Sequence, residues 1–156
     1  MKEEKFLRKD EEKTARKKTW SEKSKEVKNS YLRAMKEPTF VDEFYRNLFF
    51  LKPSIEEYFK DTKWSYQKIA IEKGIEHLLG FLEEGQNDVH RKNILRLAES
   101  HSKQGLNIHP HNYYYWVDAM VMTLSELDPS WHKNLEYYCR ECLFAPISFM
   151  ISFYHK

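Results

Sequence analysis

The chain has 156 residues, which is enough for one domain with a sizeable hydrophobic core. Its aromatic fraction of 15% and charged fraction of 32% are typical of a compact helical domain with a well-solvated exterior. The formal net charge of +2 indicates neither nucleic-acid nor membrane binding. No apolar run approaches the roughly 20 residues of a membrane span, and residues 1–20 do not resemble a signal peptide, so we expect a cytoplasmic protein.

The N-terminal segment, residues 1–20, is dominated by Lys, Arg, Glu and Asp, with Phe6, Leu7 and Trp20 as its only large apolar residues. Such a segment cannot bury enough apolar surface to order itself. We therefore expect residues 1–20 to form a charged N-terminal extension, either a mobile tail or a partner-binding arm. Residues 21–156 are expected to form a single domain.

Apolar spacing and prolines predict seven helices, at about 21–36, 39–51, 53–59, 64–82, 88–102, 110–127 and 129–154. Asp128 and Pro129 look like an N-cap followed by a first-turn proline, which would begin the last helix. Pro146 falls inside that helix and is expected to kink or interrupt it. No segment has the alternating pattern of a strand, so the fold class is all-α.

The two cysteines, Cys139 and Cys142, form a Cys-x-x-Cys pair inside the last predicted helix. A zinc site would need a second pair of ligands, and covalent haem attachment would need a histidine directly after the second cysteine. The sequence has neither, so neither interpretation is supported. We interpret the pair as buried or half-buried thiols, with a redox switch as the alternative.

One apolar helical stripe ends in a histidine. Ile94, Leu97 and His101 share a face of the predicted helix 88–102, while its charged residues point elsewhere. A neutral imidazole that points into an apolar cleft can hold a haem iron. The same placement is typical of an ordinary core histidine, so the stripe alone leaves both interpretations open.

Three other segments could contribute to the same cleft. Tyr45 lies beside the apolar stripe of the second predicted helix, Phe59 closes a short proline-started turn, and Gln67 lies one helical turn before Ile71. Together they would form an apolar pocket with two directed hydrogen-bonding groups. The alternatives are a core tyrosine bonded to a backbone carbonyl and a solvated glutamine.

In this order and spacing the chain resembles a globin, in particular the bacterial single-domain haemoglobins and the globin domain of flavohaemoglobins. The resemblance covers most of the chain after residue 23 and rests on Phe44-Tyr45-x-x-Leu48-Phe49, Pro53, Phe59, Gln67, Leu97-x-x-x-His101-x-x-x-Gly105 and Tyr113-x-x-Trp116. It implies the globin fold, a three-over-three helical sandwich, around haem b. The haem is expected to be non-covalent because the chain has no Cys-x-x-Cys-His sequence.

The resemblance also implies the roles of the site residues. His101 would be the proximal iron ligand, Phe59 would pack on the porphyrin, and Tyr45 with Gln67 would face the bound gas. The other expected haem contacts are Ile71, Leu97, Ile108, Tyr113 and Lys68. Lys68 would reach a propionate, although a solvated lysine is an equally good interpretation.

The implied function is reversible binding of O2, and of NO and CO, as a carrier, a store or an NO scavenger. Flavohaemoglobins hold the proximal histidine through a tyrosine and a glutamate. Tyr113 could supply the tyrosine, but Tyr154 falls near the place of the glutamate, and no acidic residue follows Glu141.

The alternatives are an NO dioxygenase that uses an external reductase and a haem-based gas or redox sensor. The sensor would act through residues 1–20 or through the cysteine pair. A haem-free regulator with a globin fold is the most distant alternative.

Overall fold

The computed structural model describes residues 18–83 and 88–156, and these residues form helices and connecting turns with no β-strand. In chain order the elements are α1 (Trp20–Ala34), α2 (Phe40–Leu51), a 3₁₀ helix (Pro53–Phe59), α3 (Trp64–Phe81), α4 (Asp88–His101), α5 (Asn112–Leu127) and α6 (Lys133–Ser152). Each element matches one predicted helix, so the all-α fold class is confirmed. Residues 1–17 of the expected N-terminal extension lie outside the described residues.

Helix α1 begins where a side chain satisfies a free backbone donor. The hydroxyl of Thr19 accepts a hydrogen bond from the Glu22 amide at 3.2 Å, which is the usual role of an N-cap residue. The buried residues of α1 recur every three or four positions, namely Ser24, Val27, Ser30, Tyr31 and Ala34. This spacing places one face of the helix against the core.

The helices pack in two layers of three, as the three-over-three prediction requires. Helix α2 packs extensively on α5, and α5 also contacts α6. In the other layer α3 packs on α4, while α1, α3 and α4 each contact α6 across the core. None of these helices is long and apolar enough to cross a membrane within the described ranges.

The prediction that Asp128 and Pro129 begin the last helix is wrong, because α6 begins four residues later, at Lys133. Asp128 instead follows the end of α5, and its carboxylate accepts a hydrogen bond from the Ser130 amide at 2.9 Å. It also accepts hydrogen bonds from two side chains of α1, Ser30 and Arg33. The carboxylate therefore connects α1 to the turn after α5 instead of capping a helix.

Two predictions about α6 have different outcomes. Pro146 does not interrupt the helix, which continues through it to Ser152 with the proline fully buried. Cys139 and Cys142 are buried free thiols, as expected. Burial raises the pKa of Cys139 to about 12, so this thiol stays protonated near neutral pH.

Candidate functional site

A cavity of about 310 Å³ lies among all the helices except α1. Its volume falls within the roughly 300–1,000 Å³ that is common for ligand pockets. Aliphatic and aromatic side chains form most of the wall, and none of the described residues that line it carries an Asp, Glu, Lys or Arg side chain. The polar side chains that reach the cavity are Tyr45, Tyr58, Gln67, His101, Asn112 and Tyr113.

His101 is the last residue of α4, and its ring is oriented by a backbone hydrogen bond. The Nδ1 atom lies 2.8 Å from the carbonyl oxygen of Leu97, which can only accept, so Nδ1 carries the proton. The Ser100 hydroxyl lies 2.9 Å from the same nitrogen. Burial lowers the pKa of His101, against a smaller raising effect of the Leu97 hydrogen bond, so the ring is neutral near pH 7. The lone pair of Nε2 is thus available to a ligand.

Tyr45 and Gln67 meet at another part of the cavity wall. The Gln67 amide donates a hydrogen bond of 2.7 Å to the hydroxyl oxygen of Tyr45. Burial raises the pKa of Tyr45 to about 12, although the bond from Gln67 acts in the opposite direction. The phenol therefore keeps its proton, and its O–H can donate to a group inside the cavity.

Aromatic rings fix the position of Tyr45. Its ring centroid lies 5.0 Å from that of Trp64, 5.3 Å from Phe59 and 5.8 Å from Phe49. Phe59 and Trp64 stack on each other with an interplanar angle of 16°. Because aromatic contacts of this kind restrict rotation of the ring, the hydroxyl has a defined direction.

The structure brings together eight of the nine residues predicted from the sequence. All eight line the cavity: Tyr45, Phe59, Gln67, Ile71, Leu97, His101, Ile108 and Tyr113. The ninth, Lys68, does not line it. Its ammonium lies 3.2 Å from the Asp42 carboxylate, and both side chains are about half exposed.

Of the two tyrosines considered in place of the flavohaemoglobin tyrosine and glutamate, Tyr113 lies beside the histidine. The ring of Tyr113 lies beside His101, with the two centroids 6.5 Å apart. Tyr154 does not line the cavity; it follows the end of α6, and its hydroxyl donates a 2.7 Å hydrogen bond to the Asn107 side chain.

Sequence reasoning missed several lining residues. On α3, Ala70, Gly74 and Leu78 share a face with Gln67 and Ile71, and continuing that helical spacing would have found them. Others come from elements far apart in the chain, namely Leu48, Ile55, Tyr58, Leu106, Asn112, Ile147 and Met150.

Comparison with solved structures matches one from Pseudomonas aeruginosa PAO1, the crystal structure of protein PA3967, described as structurally highly homologous to a human haemoglobin. The TM-score is 0.79 and the sequence identity 28%, and the match covers 86% of this chain and 99% of that chain. The chain has a globin fold.

No protein-family model matches this chain, and no curated protein does. The globin fold by itself suggests a haem-binding protein.

Proposed function

We propose that this globin binds haem b without a covalent link and uses it to bind O2 reversibly, with NO and CO as further ligands. One observation carries the proposal: the neutral imidazole of His101 and the Tyr45–Gln67 pair line the same apolar cavity. The imidazole is a suitable ligand for iron, and the phenol is a suitable donor to a bound gas.

The cavity wall fits a mostly apolar group. Two residues that line it, the aliphatic Leu106 and the aromatic Tyr58, are 63% and 47% exposed. A macrocycle seated in the cavity would cover such surface. None of the described residues that line the cavity is an Asp, Glu, Lys or Arg, which favours a dry pocket.

The protein's own groups would hold and orient the ligands. His101 would supply Nε2 to the iron, while its Nδ1–H stays on the Leu97 carbonyl and fixes the ring orientation. The bound haem supplies an iron that can bind a diatomic gas. Tyr45 would donate its hydroxyl proton toward the partly negative gas atom, and Gln67 would hold the phenol in place. A donor in a dry pocket stabilises such charge strongly, which favours slow O2 release.

Two observations favour gas binding over NO dioxygenase as the main activity. The partner of His101 Nδ1 is a backbone carbonyl, and no acidic side chain among the described residues lines the cavity. The histidine therefore lacks the carboxylate contact that raises ligand basicity and favours oxidative chemistry. Repeated NO turnover would also require a reductase that returns the iron to the ferrous state.

The decisive experiment is a titration of the haem-free protein with haem, followed by its absorption spectrum. We expect binding at one haem per chain, with a strong band in the violet. After reduction, addition of O2 or CO should shift that band reversibly. Absence of the band at saturating haem would exclude the proposal and favour a haem-free regulator.

A further inference from the structure

The glycines of this globin differ in what they must avoid. A Cβ atom at Gly80 would lie 2.5 Å from Nδ1 of His90, and one at Gly105 would collide with the carbonyl oxygen of Ser100. Neighbouring atoms of the protein therefore exclude a side chain at both positions. A Cβ atom at Gly74 would have no heavy atom within 4 Å, so packing within the described residues does not require this glycine.

Gly74 also lies in an unfavourable place for a glycine. It lies in the interior of α3 (Trp64–Phe81), more than one helical turn from either end. Glycine loses more conformational freedom in a helix interior than any other residue, so alanine at this position would favour the folded state. The glycine thus lowers the stability of the protein without a packing reason in its own structure.

The free space above Gly74 belongs to the candidate site. Gly74 lines the cavity, and it lies seven residues after Gln67 and three after Ile71 in α3. These intervals place all three on one face of the helix. A side chain at position 74 would consequently project into the cavity that Gln67 and His101 also line.

We propose that Gly74 determines the size of the ligand that this cavity accepts, because its missing side chain leaves the room that the edge of a porphyrin needs. This inference rests on the proposed haem binding. It assigns to α3 a second role besides carrying Gln67: the helix backbone at Gly74 forms the wall against which the macrocycle lies.

The test measures the binding of two probes, haem and metal-free protoporphyrin IX, to wild type, Gly74→Ala and Gly74→Leu. Metal-free protoporphyrin reports on the shape of the cavity without iron coordination by His101. Lys73→Leu is the matched control, since it adds the same side chain at an exposed neighbouring position of α3. Thermal unfolding of each haem-free variant is recorded in parallel.

We expect Gly74→Leu to weaken the binding of both probes at least tenfold, Gly74→Ala to weaken it less, and Lys73→Leu to leave it unchanged. The haem-free Gly74→Ala protein should melt about 1–4 °C above wild type, because alanine is the better helix former. Wild-type affinity of Gly74→Leu for both probes would overturn the inference while leaving haem binding intact. A lower melting temperature of haem-free Gly74→Ala would also overturn it, because the fold itself would then need the glycine. If wild type bound neither haem nor metal-free protoporphyrin IX, the proposed function would be refuted instead.

Discussion

The turn after α5 and the cavity differ in how their polar side chains use hydrogen bonds. The Asp128 carboxylate has no exposed side-chain surface, and it accepts hydrogen bonds from Arg33, Ser30 and the Ser130 amide. In the cavity, His101 uses Nδ1 for the bond to the Leu97 carbonyl and keeps Nε2 unused. The Tyr45 hydroxyl oxygen accepts a hydrogen bond from Gln67 and keeps its own proton to donate. Burial alone therefore does not identify a binding site. A buried polar group indicates function when it retains an unused donor or acceptor beside a cavity.

The strongest test of this comparison is to remove the Asp128 carboxylate, which is fully hydrogen-bonded within the protein. Asp128→Ala leaves the Ser30 hydroxyl and the Arg33 guanidinium without their acceptor, so we expect a loss of about 3 kcal/mol in unfolding free energy. This value is at the low end for a buried ion pair, because the Arg33 side chain is 32% exposed. Urea denaturation of the haem-free protein measures the loss.

The matched control is Asp118→Ala, which breaks the ion pair between Asp118 and Arg140. That pair is short, at 2.6 Å, but its side chains are 43% and 37% exposed, so the expected loss is below about 1 kcal/mol. Haem affinity should stay near the wild-type value in both variants. A large fall in the haem affinity of folded Asp128→Ala would show that Asp128 is energetically coupled to the cavity.

Replacing His101 should change haem affinity strongly, unlike replacing Asp128. His101→Ala removes the proposed iron ligand, and we expect haem affinity to fall at least about 100-fold, more than the loss of an outer-shell partner costs. His111→Ala is the control, since His111 is an exposed histidine in the connection between α4 and α5. A titration followed by absorbance gives both affinities. Equal affinities of the two variants would exclude His101 as the ligand.

Tyr45→Phe tests the unused donor while the aromatic packing is retained. We expect O2 to dissociate about 10–100 times faster, from a hydrogen bond to a partly charged acceptor worth roughly 1.5–3 kcal/mol. CO release should change less, because bound CO carries less negative charge. Tyr137→Phe, which alters an exposed tyrosine of α6 away from the cavity wall, is the control and should leave both rates unchanged.

Stopped-flow measurements with both gases separate the explanations for Tyr45. Equal acceleration for O2 and CO would mean that Tyr45 acts only by packing. An unchanged O2 rate would assign the donor role to Gln67.

The smallest effect concerns pH and again involves Asp128. Burial by itself would raise the pKa of this carboxyl, but hydrogen bonds from Arg33, Ser30 and Ser130 outweigh it, so the net shift is downward. A lowered pKa in the folded state stabilises the protein above the unfolded-state pKa, and this contribution is lost as pH falls through the folded-state value. The stability difference between wild type and Asp128→Ala should therefore narrow below about pH 4. Urea midpoints between neutral and acidic pH test this, and a constant difference would contradict it.

The sequence predicted most of the fold because the relevant signals are local. Apolar spacing and prolines define the helices within a few residues, and α1 to α6 begin and end close to their predicted positions. Asp128 and Pro129 were misleading because the same pair can begin a helix or form a turn. The group that decides between them, Arg33, lies 95 residues away in the sequence.

The candidate site was predictable where residues share a helix face or fit the globin pattern, as with Gln67, Leu97 and His101. Lys68 does not line the cavity, because adjacent residues on a helix point about 100° apart and its ammonium pairs with Asp42; its expected contact with a haem propionate stays a prediction. The wall residues from α6, Ile147 and Met150, depend on long-range packing that no local pattern encodes. The roles assigned to the lining residues stay predictions.

Asn107 combines two requirements that few amino acids meet together. Its φ of 54° lies in the left-handed region, and its side-chain oxygen accepts the hydroxyl hydrogen bond of Tyr154. The neighbouring Lys103 amide donates to the Tyr154 carbonyl at 2.8 Å, so two contacts connect the segment after α6 to this turn. Leu106 and Ile108, on either side of Asn107, belong to the cavity wall. The segment after α6 therefore helps to hold in place the turn that supplies one side of the candidate site.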